Sequence, residues 1–207
     1  ALGFMIQVDD KNFKGKRLRL RDKLHGMFPR QYPSSWSNRK QEIYNDNRPY
    51  NDSPIWLVDS LNFYIRETGD LSILNETVGT VALTTPDTPE KSGLIEHKNK
   101  FTIAEVLLEI FKCYERHAED SVYGMVQILY GDWCDPVDMF GTGKIGDNTT
   151  RGIGMGVNTR LSCHVFVTLV RTLELLESTK VLAYLKSKTL DKEVKAFYDF
   201  ILSANAK

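Results

Sequence analysis

Apolar side chains recur every three or four residues in several long segments of this chain, a spacing that predicts amphipathic helices. The first predicted helix runs from Pro54 to about Thr68, with the proline at its first position and Gly69 as its C-terminal stop. The second starts at Thr102, where Thr-Ile-Ala-Glu matches a capping box, and runs towards Arg116. Further helices are predicted at 159–177, 179–187 and 191–203.

The connections between these helices are long, and strand signals are few. The best short strand candidate is the segment 125–130. The segment 131–158 holds seven glycines and four aspartates without a helical period. Because a plain helical bundle has short connections, the pattern predicts an all-α chain with large loops. We expect one domain over 1–207, with a loop-rich N-terminal segment at 1–49 and helices and active-site loops over 50–207.

The composition of the chain argues against several kinds of partner and site. The chain has 27 basic and 27 acidic residues, and this balance argues against nucleic acid as a partner. No apolar run approaches the roughly 20 residues of a membrane helix. The three cysteines lack paired-ligand spacing, so we expect no disulfide framework, no metal site and a reduced, cytoplasmic setting. Since the sequence does not begin with Met, we expect a fragment or a processed form of a longer chain.

Two clusters combine carboxyl groups with aromatic rings. One lies at the start of the first helix and the other in the glycine-rich loop: they comprise Tyr50, Asn51, Asp52 and Trp56, and Asp132, Trp133 and Asp135. An aromatic ring packs against the apolar face of a sugar, while a carboxyl group acts on a hydroxyl or on the glycosidic oxygen. Apolar surroundings favour the protonated carboxyl group that a general acid requires. These seven residues are therefore the candidate site.

Simpler roles compete with this interpretation. Asp52 has the position of an ordinary helix N-cap, and Asp132 and Asp135 are suited to hydrogen bonds with loop amides. The stretch Gly-Thr-Gly-Lys ending at Lys144 is no phosphate-binding P-loop, because Ile follows the lysine. The histidines show no metal spacing, and His164 is expected to be a paired core residue rather than a catalyst.

Three stretches in combination resemble a known family. They are YNDSPIWLVDSLNFYIRETGDLSIL (50–74), YGDWCDPVDMFG (130–141) and the helix from about 158 to 176. Together they are similar to the acid-bearing loop with its helix, the Asp-Trp-Asn-Asp loop and the next barrel helix of glycoside hydrolase family 94. That family comprises inverting sugar phosphorylases, including cellobiose and chitobiose phosphorylases. The resemblance covers roughly residues 40–178.

The resemblance implies a fold, a reaction and roles for residues. The fold is a six-hairpin α/α barrel, of which this chain would form a part. The general acid is Asp52, and Tyr50 lines the sugar subsite. The reaction is reversible phosphorolysis of a β-glycoside with inversion, with inorganic phosphate as co-substrate and no cofactor. The expected partners are a β-linked disaccharide or oligosaccharide and the rest of the barrel or a second copy of the chain.

Departures from the family pattern keep two alternatives open. Ser53 and Cys134 replace an acidic residue and an asparagine, and the Gly-Glu-Ser motif is absent before the third helix. The family's upstream Arg-Asp and downstream Thr-Gly segments are also missing, so we expect no phosphorylase activity from these 207 residues alone. One alternative is an inverting glycoside hydrolase that uses Asp132 or Asp135 as base. The other is a non-catalytic sugar-binding or interaction domain.

Overall fold

The structure, a computed structural model, describes residues 5–6, 24–29, 35–37, 42–44, 50–84, 93–121, 123–127, 129, 157–177 and 183. The described helices are α1 (Ser53–Thr68), a 3₁₀ turn (Ser72–Asn75), α2 (Ile103–Asp120) and α3 (Thr159–Glu177). The described strands are β1 (Met5–Ile6), β2 (Ser35–Ser37), β3 (Glu42–Tyr44), β4 (Thr77–Leu83) and β5 (Leu94–Thr102).

The helices begin and end where local chemistry predicts. In α1 a proline occupies the first turn, and Gly69 ends the helix in the left-handed conformation at φ 68°. Thr102 precedes α2 with extended backbone and forms both hydrogen bonds of the predicted capping box with Glu105. The predicted helices at 54–68 and 159–177 are confirmed, and α2 continues past Arg116 to Asp120.

The prediction of an all-α chain is wrong. Strands β4 and β5 pair in antiparallel orientation from Thr77 opposite Thr102 to Leu83 opposite Leu94. The short strand β1 lies parallel to β4 on its other side, which gives a sheet of order β1-β4-β5. A separate antiparallel pair, β2 and β3, lies within the segment predicted to be loop-rich. The described chain is therefore a mixture of helix and sheet. The six-hairpin α/α barrel, which was predicted together with the all-α class, is wrong for the same reason.

The hairpin was missed because its strands carry little alternating hydrophobicity. Strand β5 reads LIEHKNKFT, so its centre is charged or polar and its apolar residues stand at its ends. Strand β4 is rich in β-branched residues but contains Gly79, next to an irregularity where the pairing register shifts. Pairing with a neighbour and burial of Val81 and Leu83, rather than the pattern of β5, make this segment a hairpin.

Two clusters of apolar side chains form the described core. The larger joins α1, α2 and α3 around Phe111, with Ile55, Val58 and Leu161 among its buried members. The smaller joins the turn at 24–29 to β4 and α2 through Leu24, Met27, Val81, Leu83, Cys113 and Leu129. Helix α2 contributes side chains to both clusters and therefore joins them.

The turn at 24–29 packs closely against α2 and is held there by polar contacts. Gly26 has φ 89°, and a Cβ atom there would lie 2.8 Å from the carbonyl oxygen of Glu109. His25 Nε2 lies 3.0 Å from Glu109 Oε2, and the Arg116 guanidinium donates to the His25 carbonyl oxygen. Burial alone would raise the pKa of Glu109, but the bond with His25 and the charge of Lys112 hold it at about 2.

Other predictions fall partly or wholly outside the described residues. The helices predicted at 179–187 and 191–203 lie outside them, apart from Ala183, which is helical. Within the predicted strand at 125–130, Gln127 and Leu129 form single bridges with Val157 and Tyr50. Within the described part of the chain, no helix has the length and apolar character to cross a membrane.

Candidate functional site

The residues before α1 are anchored in the interior. Tyr50 is buried and pairs with Leu129 through a single antiparallel bridge. Asn51 is fully buried, and its side-chain amide donates to the carbonyl oxygen of Gln127. Tyr114 of α2 donates its hydroxyl hydrogen to the Asn51 carbonyl oxygen at 2.6 Å. Burial raises the pKa of Tyr114 well above its ordinary value of 10, so the phenol keeps its proton and remains a donor.

Asp52 occupies the N-cap position of α1 but does not cap the helix with its side chain. Its backbone is in the right-handed helical region at φ −88° and ψ −19°, and its carboxylate makes no capping hydrogen bond. Instead, Trp56 donates its indole Nε1 hydrogen to Asp52 Oδ2 at 3.1 Å. Asp52 is 5% exposed, whereas Trp56 is 48% exposed. The candidate acid is therefore shielded by an indole ring that presents much of its surface to solvent.

Helices α1 and α3 meet along a row of polar side chains, which we call the α1–α3 polar seam: Asp59 and Asn62 of α1, and His164, Thr168 and Thr172 of α3. His164 Nε2 lies 2.6 Å from Asp59 Oδ2, and Thr168 donates its hydroxyl to Asp59 Oδ1 at 2.9 Å. Asn62 donates to the Thr172 hydroxyl at 2.8 Å. Each of these side chains has a partner, and four of the five, all except the partly exposed His164, are buried.

The polar seam reaches the candidate acid through one aromatic contact. The rings of Trp56 and His164 lie edge to face, with centroids 4.7 Å apart and planes at 69°. His164 was predicted to be a paired core residue; it is paired with Asp59, but it is only partly buried and it also borders Trp56. The available signal was the helical spacing of Asp52, Trp56 and Asp59 along α1, and of the polar residues at 164, 168 and 172 along α3.

Two cavities lie near the three helices. One of about 170 Å³ is lined by Asp59, Asn62, Phe63, Arg66 and Arg171, at the solvent end of the polar seam. The other, of about 520 Å³, lies between α2 and α3. Its lining is mostly apolar, with Phe111, Val165 and Phe166, and includes neither Asp52 nor Trp56. Glu115, Glu119 and Ser162 also line the larger cavity, but it lies apart from the candidate acid.

The second predicted cluster belongs to the glycine-rich segment at 131–158. Asp132, Trp133 and Asp135 lie outside the described residues. Among the described residues the structure shows no cluster of three or more His, Cys, Asp or Glu side chains suited to a metal ion. Of the four predicted site residues that are described, Asp52 and Trp56 are in direct contact, while Tyr50 and Asn51 hold the start of α1 in place.

Comparison with known proteins relates part of the chain to carbohydrate phosphorylases. No protein-family model matches the chain. Cellobionic acid phosphorylase of Neurospora crassa is 31% identical over 98 residues, which are 47% of this chain and 10% of that protein. Solabiose phosphorylase of Paenibacillus borealis is 27% identical over 110 residues, which are 53% of this chain and 12% of that protein.

The matched region thus spans only about a tenth of the length of each relative. Over about half of its own length, the chain is similar to proteins named as phosphorylases of cellobionic acid and of solabiose. This similarity supports a phosphorylase-like relationship for the matched part of the chain.

Proposed function

We propose that this chain is part of an inverting carbohydrate phosphorylase of the glycoside hydrolase family 94 type, with Asp52 as its general acid. The substrate would be a β-linked disaccharide or oligosaccharide, and inorganic phosphate would be the co-substrate. The observation that carries the proposal is the pairing of Asp52 with Trp56 at the start of α1, in a chain similar to two phosphorylases.

The contact with Trp56 suits a carboxyl group that donates a proton. Because Oδ2 accepts the indole hydrogen, the hydrogen bond favours Oδ1 as the oxygen that carries the proton of the neutral acid. After the proton has left, the same bond stabilises the carboxylate, since hydrogen bonds to a charged acceptor are the stronger ones. The exposed surface of the indole is available to pack against a sugar ring.

The proposed reaction breaks and forms one bond each at the anomeric carbon. Asp52 protonates the glycosidic oxygen as the carbon–oxygen bond breaks, which contributes typically 10²- to 10⁴-fold to the rate. A phosphate oxygen attacks from the opposite face and gives a sugar 1-phosphate of inverted configuration. The proton lost by Asp52 is replaced by the one that hydrogen phosphate releases once it is esterified. Phosphate takes the place of the activated water, so no second carboxylate is needed as base.

The test is Asp52→Asn in the intact protein, with cellobionic acid or solabiose and inorganic phosphate as probes. Glu67→Gln is the matched control, because it makes the same chemical change at an exposed position of the same helix. We expect release of sugar 1-phosphate to fall by about 10²-fold or more in Asp52→Asn and to be unchanged in Glu67→Gln. Undiminished turnover by Asp52→Asn would remove the assignment. Hydrolysis that needs no phosphate, or sugar binding without turnover, would contradict phosphorolysis.

A further inference from the structure

Asp59 is an acidic residue in the interface between α1 and α3, and it takes no part in the proposed reaction. It is 8% exposed, and its two carboxylate oxygens contact His164 and Thr168. Arg171 also approaches it, with 3.9 Å between Nη1 and Oδ1. A carboxylate in such a place is costly unless it is paired and hydrogen-bonded. The short bond between Asp59 and His164 therefore holds the imidazole in place through its Nε2 atom.

His164 in turn restricts the indole ring of Trp56. The 2.6 Å contact between Nε2 and Asp59 fixes the plane of the imidazole, and the imidazole lies against the indole at 69°. Trp56 is 48% exposed, so much of its ring has no protein on one side. Without the imidazole, the ring would lose a neighbour that limits its rotation.

Trp56 is also the residue that donates to Asp52 Oδ2. The side chains therefore form one continuous series of contacts, from Asp59 to His164, from His164 to Trp56 and from Trp56 to Asp52. Positions 52, 56 and 59 share one face of α1 because they are four and three residues apart. His164 reaches this face from α3, so the series joins the two helices.

We propose that Asp59 and His164 are positioning residues, which hold the Trp56 indole and through it the orientation of the Asp52 carboxyl group. This inference rests on the proposed function in that Asp52 is taken to be the acid. Neither Asp59 nor His164 contacts substrate in this proposal. Their loss leaves the acid present but poorly aimed, and misplacement of a reacting group by about 1 Å can cost 10²-fold in rate.

Two substitutions in the intact protein test the series at different points. Asp59→Asn keeps the shape of the side chain but removes the charge that pairs with His164. His164→Phe keeps a ring beside Trp56 but removes the nitrogen that Asp59 holds. Thr172→Val is the matched control, because it breaks the bond from Asn62 in the same interface without touching the Trp56 contacts.

The readouts are turnover of cellobionic acid with phosphate and the fluorescence anisotropy of Trp56, obtained by difference from Trp56→Phe. We expect Asp59→Asn and His164→Phe to lower kcat by about 10- to 100-fold, with a smaller change in KM, and to lower the Trp56 anisotropy. We expect Thr172→Val to leave both quantities unchanged. A loss of kcat with unchanged anisotropy, or an equal loss in Thr172→Val, would overturn the inference.

The two proposals fail in different ways. If Asp52→Asn is inactive but Asp59→Asn and His164→Phe show native turnover and native anisotropy, the positioning role is wrong and the function of Asp52 stands. If Asp52→Asn is fully active, the proposed function is wrong, while lowered anisotropy in Asp59→Asn would still support the restraint of Trp56 by the pair.

Discussion

Asp52 accepts a hydrogen bond from the indole of Trp56 at 3.1 Å, although it stands at the N-cap position of α1. A capping residue normally has extended backbone, and its side chain accepts from the second or third amide of the helix. Thr102 does so before α2, with φ −69° and ψ 157°. Asp52 has helical backbone instead, and its carboxylate turns to Trp56. The simple N-cap role that the sequence allowed for Asp52 is not its role in this structure.

Trp56→Phe removes the indole donor and keeps an aromatic ring. We predict that kcat/KM for phosphorolysis falls by about tenfold or more, because hydrogen bonds to a charged group are worth about 1.5–3 kcal/mol. The free energy of unfolding should also fall, by about 1–3 kcal/mol, because the buried Asp52 carboxyl group loses this donor. Tyr64→Phe is the control, because it deletes a donor to Asp70 on the exposed side of the same helix. Native activity in Trp56→Phe would contradict the role given to the indole.

Thr102→Ala deletes the capping box of α2. We predict a loss of about 1 kcal/mol in the free energy of unfolding, because the Thr102 hydroxyl accepts from the Glu105 amide and the methyl group of alanine cannot accept a hydrogen bond. Thr159→Ala, at the exposed first residue of α3, should leave stability within about 0.5 kcal/mol, because Asn158 accepts from the Leu161 amide there. Urea unfolding of both variants measures the difference, and equal losses would contradict the prediction.

Gly26→Ala tests the close approach of the turn at 24–29 to α2. The new Cβ would meet the Glu109 carbonyl oxygen at 2.8 Å and Cys113 Cβ at 2.9 Å, and φ 89° is unfavourable for alanine. We predict a destabilisation of about 2–4 kcal/mol from backbone strain and overpacking together.

Gly124→Ala is the control for this change. Gly124 also has positive φ, at 63°, but a Cβ there would meet nothing within 4 Å. It should therefore cost only the left-handed backbone penalty of about 1–2 kcal/mol. Equal free energies of unfolding for the two variants in chemical denaturation would contradict the close packing of the turn on α2.

Glu109 makes the free energy of unfolding depend on pH in the acidic range. Its pKa is lowered from 4.5 to about 2, against its burial, by the bond with His25 and the charge of Lys112. A depressed pKa means that the stabilisation is complete above pH 4.5 and is lost as the pH falls towards 2. At about 1.4 kcal/mol for each pH unit, the loss is on the order of 3 kcal/mol.

Glu109→Gln should remove this dependence. We predict that the variant is less stable than the native protein at neutral pH and that the gap narrows as the pH falls from 4.5 towards 2. Glu67→Gln, which changes an exposed carboxylate, should run parallel to the native protein over the same range. A constant gap between native protein and Glu109→Gln would show that the carboxylate has no such role.

Local signals located the helices well. Pro54, Gly69 and the Thr102–Glu105 capping box are short-range features, and each marks a helix end in the structure. The hairpin of β4 and β5 lacked such a signal, because β5 is polar at its centre and becomes a strand through its partner. Burial along α1 likewise depends on which elements pack against the helix. Trp56 and Tyr64 fit its apolar spacing but are substantially exposed, whereas Asp59 and Asn62 are buried.

The candidate site was predictable in part. Asp52 and Trp56 are four residues apart on one helix, so their proximity follows from the sequence. The pairing of Asp59 with His164 spans 105 positions, and the pairing of Asn62 with Thr172 spans 110. Contacts of such separation depend on how helices pack, which periodicity within one helix does not reveal.

The most direct test of Asp52 as general acid compares two substrates in the Asp52→Asn variant of the intact protein. One is a disaccharide, whose leaving oxygen needs a proton, and the other is 2,4-dinitrophenyl β-glucoside, whose phenolate leaves without one. We predict that kcat/KM with phosphate falls by about 10²- to 10⁴-fold for the disaccharide and changes little for the dinitrophenyl glucoside. An equal loss with both substrates, or no loss with either, would contradict the assignment of Asp52 as the acid.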